Sequence, residues 1–397
     1  MWNLDTMSYL KEWHERYRKD LTGDILPFWL KFGLDRENGG VYTCVDREGK
    51  LMDSTKSVWF QGRCAFVYSF AYNNVEKRPE YLEMAKSCLD FIEAHCFDTD
   101  GRMYFEVTAT GQPLRKRRYV FSECFAAIAM SEYSIATGLR EYAEKALRLF
   151  KDIQRFISTP GLLEQKYLPT QQAIGHSITM ILINTASRIR AAIDDESLTE
   201  QIDRSLYAIK NYFMHPEFEA VLEMVTPDGK LIDTCNGRVI NPGHCIETAW
   251  FILEEGKHRG DKDLIEMGIK ILEWSWNWGW DNEYGGIINF RDCKHFPPQD
   301  YSQDMKFWWP QTEAIIATLY AYDLTDDPKY LEMHRLVNEW AYEYLSDPVY
   351  GEWFGYLHRD GSVAQMAKGN IFKGPFHIPR MMVKSHMLLG DIIAKKL

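Results

Sequence analysis

Apolar residues recur along the chain in two alternating textures. In segments such as 140–157, Tyr142, Ala143, Ala146, Phe150, Ile153 and Phe156 return at three- and four-residue steps while Glu, Lys and Arg fill the other face, which predicts a helix buried on one side. In others, such as Trp309 to Tyr320, nearly every position is apolar or small, which predicts a helix covered on most faces. Covered helices are predicted over 58–73, 119–137, 173–192, 244–257, 309–324 and 377–394. Half-covered ones are predicted over 5–31, 79–95, 140–157, 196–214, 260–279 and 328–345. Gly23 and Pro27 predict a kink or split in the first of these.

Each pair is introduced by a turn that repeats. Asp35-Arg-Glu-Asn-Gly-Gly-Val-Tyr42 returns as Asp281-Asn-Glu-Tyr-Gly-Gly-Ile-Ile288, and Pro79-Glu-Tyr-Leu-Glu-Met84 as Pro328-Lys-Tyr-Leu-Glu-Met333. Anchors at 35, 98, about 158, about 217, 281 and 347 lie roughly 59 to 66 residues apart and divide nearly the whole chain into six units. Six alternating pairs close into an all-α fold, an (α/α)6 barrel of six inner and six outer helices with short β-hairpins gathered at one end. The expected organisation is one domain over 1–397. An open solenoid would carry polar capping units, and both terminal units here are apolar.

Charge narrows the partners. The 397 residues hold 46 Lys and Arg against 57 Asp and Glu, a net charge of −11, which speaks against nucleic acid or an anionic membrane surface. No run approaches the roughly 20 apolar residues of a membrane span, and the first ten residues lack a basic stretch followed by an apolar one. Eight scattered cysteines without a C-x-x-C pair read as reduced thiols, so a cytoplasmic location is expected. Aromatic residues, 14% of the chain, fill a large core or line a cleft. No G-x-G-x-x-G or G-K-[ST] loop supports nucleotide chemistry.

The chemistry-bearing residues open the inner helices. Counted from the anchors, Arg63, Glu123, His176, His244, Glu313 and His377 fall in one band, His176 being the outlier. Equivalent positions of a cyclic repeat converge, so His244, Glu313, His377 and Arg63 are expected on one arc of the cavity wall, with Glu247 one helical turn beyond His244. Two imidazoles beside carboxylates and a guanidinium suit inversion at a carbon next to a carbonyl. One ring removes a proton from one face, the other returns a proton to the opposite face, and the arginine stabilises the enediolate between them. Glu247 and Glu313 would set ring tautomer and orientation.

His176, Glu123, Trp308, Gln311 and Arg380 are expected to contact substrate. For His176 a hydrogen-bonded core role has equal weight, and Glu123 leans toward a structural acid paired with Arg117 or Arg118. Trp308 and Trp309 read as core filling or as a sugar-stacking platform. His244-x-x-Glu247 is not the H-E-x-x-H of zinc proteases, so no metal is expected. A carboxylate pair among Glu123, Glu247 and Glu313 would instead suit glycoside hydrolysis.

At these residues the chain resembles the N-acylglucosamine 2-epimerase family, also called renin-binding protein. The likeness runs over essentially the whole chain. It rests on the turn from Asp35 to Gly49 with Gly39-Gly40, on Val58-Trp-Phe-Gln-Gly-Arg63, on Asn241-Pro-Gly-His-Cys-Ile-Glu247, on Trp308-Trp-Pro-Gln-Thr-Glu313 and on Gly374-Pro-Phe-His-Ile-Pro-Arg380. The resemblance implies an (α/α)6 barrel that interconverts N-acetylglucosamine and N-acetylmannosamine through C2 after ring opening. His244 and His377 match the family's acid/base histidines, Arg63 its essential arginine, and Glu247 and Glu313 its essential glutamates. It further implies a metal-independent enzyme, often a homodimer, with ATP as a modulator that is not consumed. His176 stands where an apolar residue is more usual and would bear on substrate choice. The alternatives are an aldose-ketose isomerase or a mannose, glucose or cellobiose-type epimerase on the same barrel, and a non-catalytic sugar- or protein-binding module.

Overall fold

The computed structural model describes residues 4–397. The first outer helix is interrupted as Gly23 and Pro27 predict: α1 (Leu4–Asp20) runs through a π-helical turn (Leu21–Ile25) into α2 (Leu26–Phe32). Pro27 has no N–H for the preceding turn, and the wider π turn around Gly23 absorbs the mismatch. The other outer helices are α4 (Pro79–His95), α6 (Arg140–Ser158), α8 (Glu196–Ala208), α10 (Lys262–Gly279) and α12 (Pro328–Tyr344). The inner ones are α3 (Val58–Asn74), α5 (Phe121–Thr137), α7 (His176–Arg190), α9 (Pro242–Arg259), α11 (Trp308–Thr325) and α13 (His377–Lys396).

The inner helices contact one another in chain order, and α13 returns to α3, which closes the ring. Each outer helix packs on its inner partner, with α1 completing the circle on α13. The (α/α)6 barrel with six inner and six outer helices is thus the fold found. Boundaries moved where local chemistry decides them. The third inner helix starts at His176 rather than 173, because Ile174–Gly175 is a strand paired with Met224–Val225. The fourth starts at Pro242 rather than 244: the Asn241 side-chain oxygen caps it by accepting the His244 N–H at 3.1 Å, and proline is favoured in the first helical turn.

The short strands lie at the starts of the inner helices. Lys56–Ser57 pairs with Tyr104–Val107 and Lys306–Phe307 with Tyr356–Leu357, so each hairpin is stitched to the entry of the preceding inner helix. A buried ion pair fixes the turns: Lys56 Nζ lies 2.7 Å from Asp35, Lys306 3.0 Å from Asp281 and Lys368 2.9 Å from Asp347. The Gly39-Gly40 and Gly285-Gly286 pairs adopt positive φ, which residues with a Cβ resist. This end of the barrel is therefore the rigid rim of a cavity. Among the described residues no helix is long and apolar enough to cross a membrane.

Candidate active site

A cavity of about 500 Å³ opens at this rim, bounded by Arg63 of α3, His244 and Glu247 of α9, Trp308 and Trp309 of α11 and His377 of α13. Phe121, Phe125, Met180, Ile181 and Phe376 form much of the remaining wall. A wider groove of about 1240 Å³ adjoins it, shares Phe121 and Ser177, and reaches Glu223.

His377 is the first residue of α13, and its Nδ1 lies 2.8 Å from Glu313 Oε1. A carboxylate at that distance takes the Nδ1 proton as a hydrogen bond, which leaves Nε2 with the lone pair. Burial holds the ring's pKa well below the usual histidine value, and the cations Arg380 and Arg63 push the same way, so the ring is neutral at pH 7. Glu313 is itself held on both oxygens, by Trp250 Nε1 at 2.8 Å and Arg380 Nη2 at 2.6 Å.

His244 is the opposite case. Its Nδ1 lies 3.0 Å from Glu223 Oε1. Burial works against its charge, but the attraction and hydrogen bond of Glu223, with Glu247 and Glu313 behind, outweigh it and raise the pKa above the usual value. Burial pulls Glu223 the other way, and His244 and His176 together hold that carboxyl well below the carboxylate range. The indole of Trp309 lies beside both rings, 5.2 Å from His244 and 5.9 Å from His377 between centroids. It reaches that position because Gly243 has no side chain; a Cβ there would sit 2.5 Å from the indole.

Arg63 is buried with its guanidinium 4.1 Å from the Phe125 ring and 4.7 Å from Phe376. Its Nε has no hydrogen-bond partner. Burial above all, countered by Glu247 and aided by Arg380, lowers its pKa to about 9, which still leaves it cationic at pH 7. Trp308 lines the cavity edge-on to Tyr356, and its Nε1 is likewise unpartnered.

Four expected substrate contacts lie elsewhere. Glu123 is buried and pairs with Arg102 at 2.7 Å, rather than with Arg117 or Arg118, while accepting the Met103 N–H at 2.9 Å. Gln311 does the equivalent for Ile287, accepting its N–H at 2.7 Å and donating to its carbonyl at 2.8 Å. Gln61 repeats this with Val41. Buried hairpin N–H groups need an acceptor, and these side chains are spent on supplying it. Arg380 is 2% exposed and bridges Glu247 at 2.7 Å and Glu313 at 2.6 Å beneath the cavity. His176 is fully buried behind Glu223, 3.5 Å from its carboxylate, with Nε2 3.0 Å from Thr248 Oγ1.

Glu247 also differs from expectation, because it pairs with Arg380 and leaves the orientation of His244 to Glu223. Glu223 was missed. Its signal is a lone acid in the otherwise apolar run Ala220-Val-Leu-Glu-Met-Val225. Glu247, Glu313 and His377 also bring ligand atoms within 4.8 Å of one another, the one group of metal-ligand type found among the described residues. The Arg380 guanidinium already provides the cation between those two carboxylates.

A family model for N-acylglucosamine 2-epimerase (GlcNAc 2-epimerase) matches residues 40–374. The N-acylglucosamine 2-epimerase of Bos taurus is 35% identical over 395 residues, 97% of this chain and 93% of the bovine one. Cellobiose 2-epimerase of Bacteroides fragilis is 27% identical, covering 95% of this chain and 98% of its own length. The solved cellobiose 2-epimerase of Bacillus thermoamylovorans superposes with a TM-score of 0.84 at 22% identity, over 95% of this chain and 99% of that one. Matched by that family model over most of its length and by a curated relative at 35% identity, the chain belongs to the N-acylglucosamine 2-epimerase family and is an isomerase-class enzyme.

Proposed function

We propose that the protein interconverts N-acetylglucosamine and N-acetylmannosamine by proton transfer at C2 of the open-chain sugar. The observation that carries this reading is the pair of histidines beside one tryptophan, each backed by a carboxylate: His377, with Nε2 uncommitted and its pKa held well below the usual value, and His244, whose pKa its carboxylates raise. His377 Nε2 takes the C2 proton, the C2–H electron pair becomes the C1–C2 double bond, and the carbonyl oxygen becomes an enediolate oxygen. Arg63, desolvated and with an uncommitted Nε, is suited to that developing charge. His244 then delivers its proton to the other face of C2, the double bond returns to the carbonyl, and the configuration is inverted. The apolar wall of Phe125, Met180 and Ile181 supports an N-acyl substrate, since it offers a methyl group cover and a hydroxyl nothing.

A second reading, a disaccharide 2-epimerase, draws support from the adjoining groove, which has room for another sugar ring. The reading extends to a homodimer in a reducing cytoplasm, in keeping with eight free thiols of which six are buried, and to ATP as a modulator that is not consumed.

The test is proton NMR of the purified protein with N-acetylglucosamine in D2O, run without and with ATP. N-acetylmannosamine carrying deuterium at C2 is the expected product, abolished by His244→Ala and by His377→Ala. A ketose product, C2 exchange only with cellobiose, or activity retained in both alanine variants would each refute it.

A further inference from the structure

The two histidines are not backed alike. Glu313, behind His377, shares its charge with the Arg380 guanidinium at 2.6 Å. Glu223, behind His244, has no arginine or lysine bonded to it among the described residues; its hydrogen-bonding side-chain neighbours there are the imidazoles of His244 and His176. We infer that Glu223, seated by His176, is a positioning residue that holds His244 as the proton-donating member of the pair. This rests on the two-histidine reading above.

The arrangement is built on both sides. The His176 backbone N–H donates to the Glu223 carbonyl at 3.0 Å, and the Glu223 N–H donates to the Val239 carbonyl at 3.2 Å, so the segment bearing the carboxylate is pinned between two strands. The His176 ring then reaches Thr248 Oγ1, whose hydroxyl lies 2.8 Å from the His244 carbonyl oxygen. One imidazole thus ties the Glu223 segment to the helix that carries His244. A fully buried histidine that lines neither the cavity nor the adjoining groove and makes these contacts acts through Glu223.

The charge of Glu223 also decides a competition at His244 Nδ1. That nitrogen lies 3.0 Å from Glu223 Oε1 and 3.1 Å from the Asn241 amide nitrogen. Facing a carboxylate, Nδ1 keeps its proton and the ring can carry a second one on Nε2, directed at substrate. Facing a neutral side chain, Nδ1 can instead accept from Asn241, which favours the uncharged ring. The other groups around His244 are Glu247 on its own helix, Glu313 and Trp309 on α11, and His377 on α13. Of these carboxylates Glu247 and Glu313 are already paired with Arg380, which leaves Glu223 as the one whose removal the ring should feel most.

Two readouts test this on the full-length protein. In substrate-free enzyme with 15N-labelled histidine, Glu223→Gln should move the His244 titration to lower pH, whereas Glu223→Asp should retain most of the parental value. That measurement needs no turnover, so its outcome is independent of the epimerase reading. In C2 exchange, Glu223→Gln should lower kcat by about 10- to 100-fold with little change in KM, shift the alkaline limb of the pH profile to lower pH, and be partly rescued by aspartate. His176→Phe should move the same limb in the same direction. A Glu223→Gln protein that is folded by circular dichroism but leaves the His244 titration in place overturns the proposal, as does a shift that aspartate does not restore.

Discussion

Arg380, expected to contact substrate, instead lies buried between Glu247 and Glu313, and removing it tests how the site holds together. Arg380→Met keeps the length and apolar stem but deletes the cation between Glu247 and Glu313, whose side chains are 7% and 0% exposed. Their carboxylate oxygens come within 4.8 Å of each other. At an effective dielectric near 20, two unit charges at that distance repel by about 3 to 4 kcal/mol. Breaking a buried ion pair by removing one partner costs about 3–5 kcal/mol by experience elsewhere. A chain of 397 residues has an unfolding entropy of about 0.8 kcal/mol/K, so the expected loss is about 4 to 6 °C in Tm, read by thermal unfolding at neutral pH. Adding Glu247→Gln removes the repulsion and should restore at least half of it. A single variant within about 1 °C of the parent, or a double variant no more stable than the single, would refute the account of Arg380 as the cation that makes two adjacent buried carboxylates tolerable.

The remaining predictions concern pH and the misplaced contacts. Activity needs His377 neutral and His244 protonated; because the first pKa lies well below 6.5 and the second above it, the rate should hold a plateau across pH 6.5, falling on the acid side as His377 gains a proton and on the alkaline side as His244 loses one. Initial rates across about pH 4.5 to 9.5 check this, and a narrow optimum with both limbs meeting at 6.5 would contradict it. Glu123→Ala strands the buried Arg102 charge and the Met103 N–H, so it should cost about 3–5 kcal/mol of stability while leaving KM within about twofold; a large rise in KM at unchanged Tm would return Glu123 to the substrate.

The closed ring was legible because two signals agree: helices apolar on nearly all faces, and a turn returning about every sixty residues. The placement of Arg63 and Glu313 was legible for a related reason. Lys56-Ser-Val-Trp-Phe-Gln-Gly-Arg63 and Lys306-Phe-Trp-Trp-Pro-Gln-Thr-Glu313 share one register from buried lysine to site residue. Glu123 was misread because distance was counted from the hairpin aspartate, and loop length between hairpin and helix varies among units. The equivalence that matters is the hydrogen bond to the hairpin N–H, which groups Glu123 with Gln61 and Gln311. Glu223 carries no period at all, since it sits in the bend between two short strands, Ala220–Val221 and Met224–Val225. That Glu247 faces Arg380, 133 residues away, is a non-local fact that no spacing expresses.

The repeat also explains how a symmetric barrel acquires an asymmetric site. The lysine–aspartate pair and the glutamine or glutamate that clamps the hairpin do the same structural work wherever they recur among the units, so their identities are constrained there. Two residues after the clamp the units diverge: Arg63 after Gln61 and Phe125 after Glu123 line the cavity, and Glu313 after Gln311 lies just behind it, against His377. The arginine is the oxyanion partner of the proposed reaction, the phenylalanine ring packs on it at 4.1 Å, and the glutamate lies 2.8 Å from the histidine of the next inner helix. His244 stands outside this series, at the start of a helix capped by Asn241, and draws its carboxylate from the bend between two short strands instead of a neighbouring clamp position. The different origins of Glu313 and Glu223 leave one carboxylate neutralised by Arg380 and the other without a cation from arginine or lysine. Burial, Arg380 and Arg63 lower the pKa of His377 while Glu223 raises that of His244, and the proposed inversion at one carbon draws on that contrast between two identical side chains.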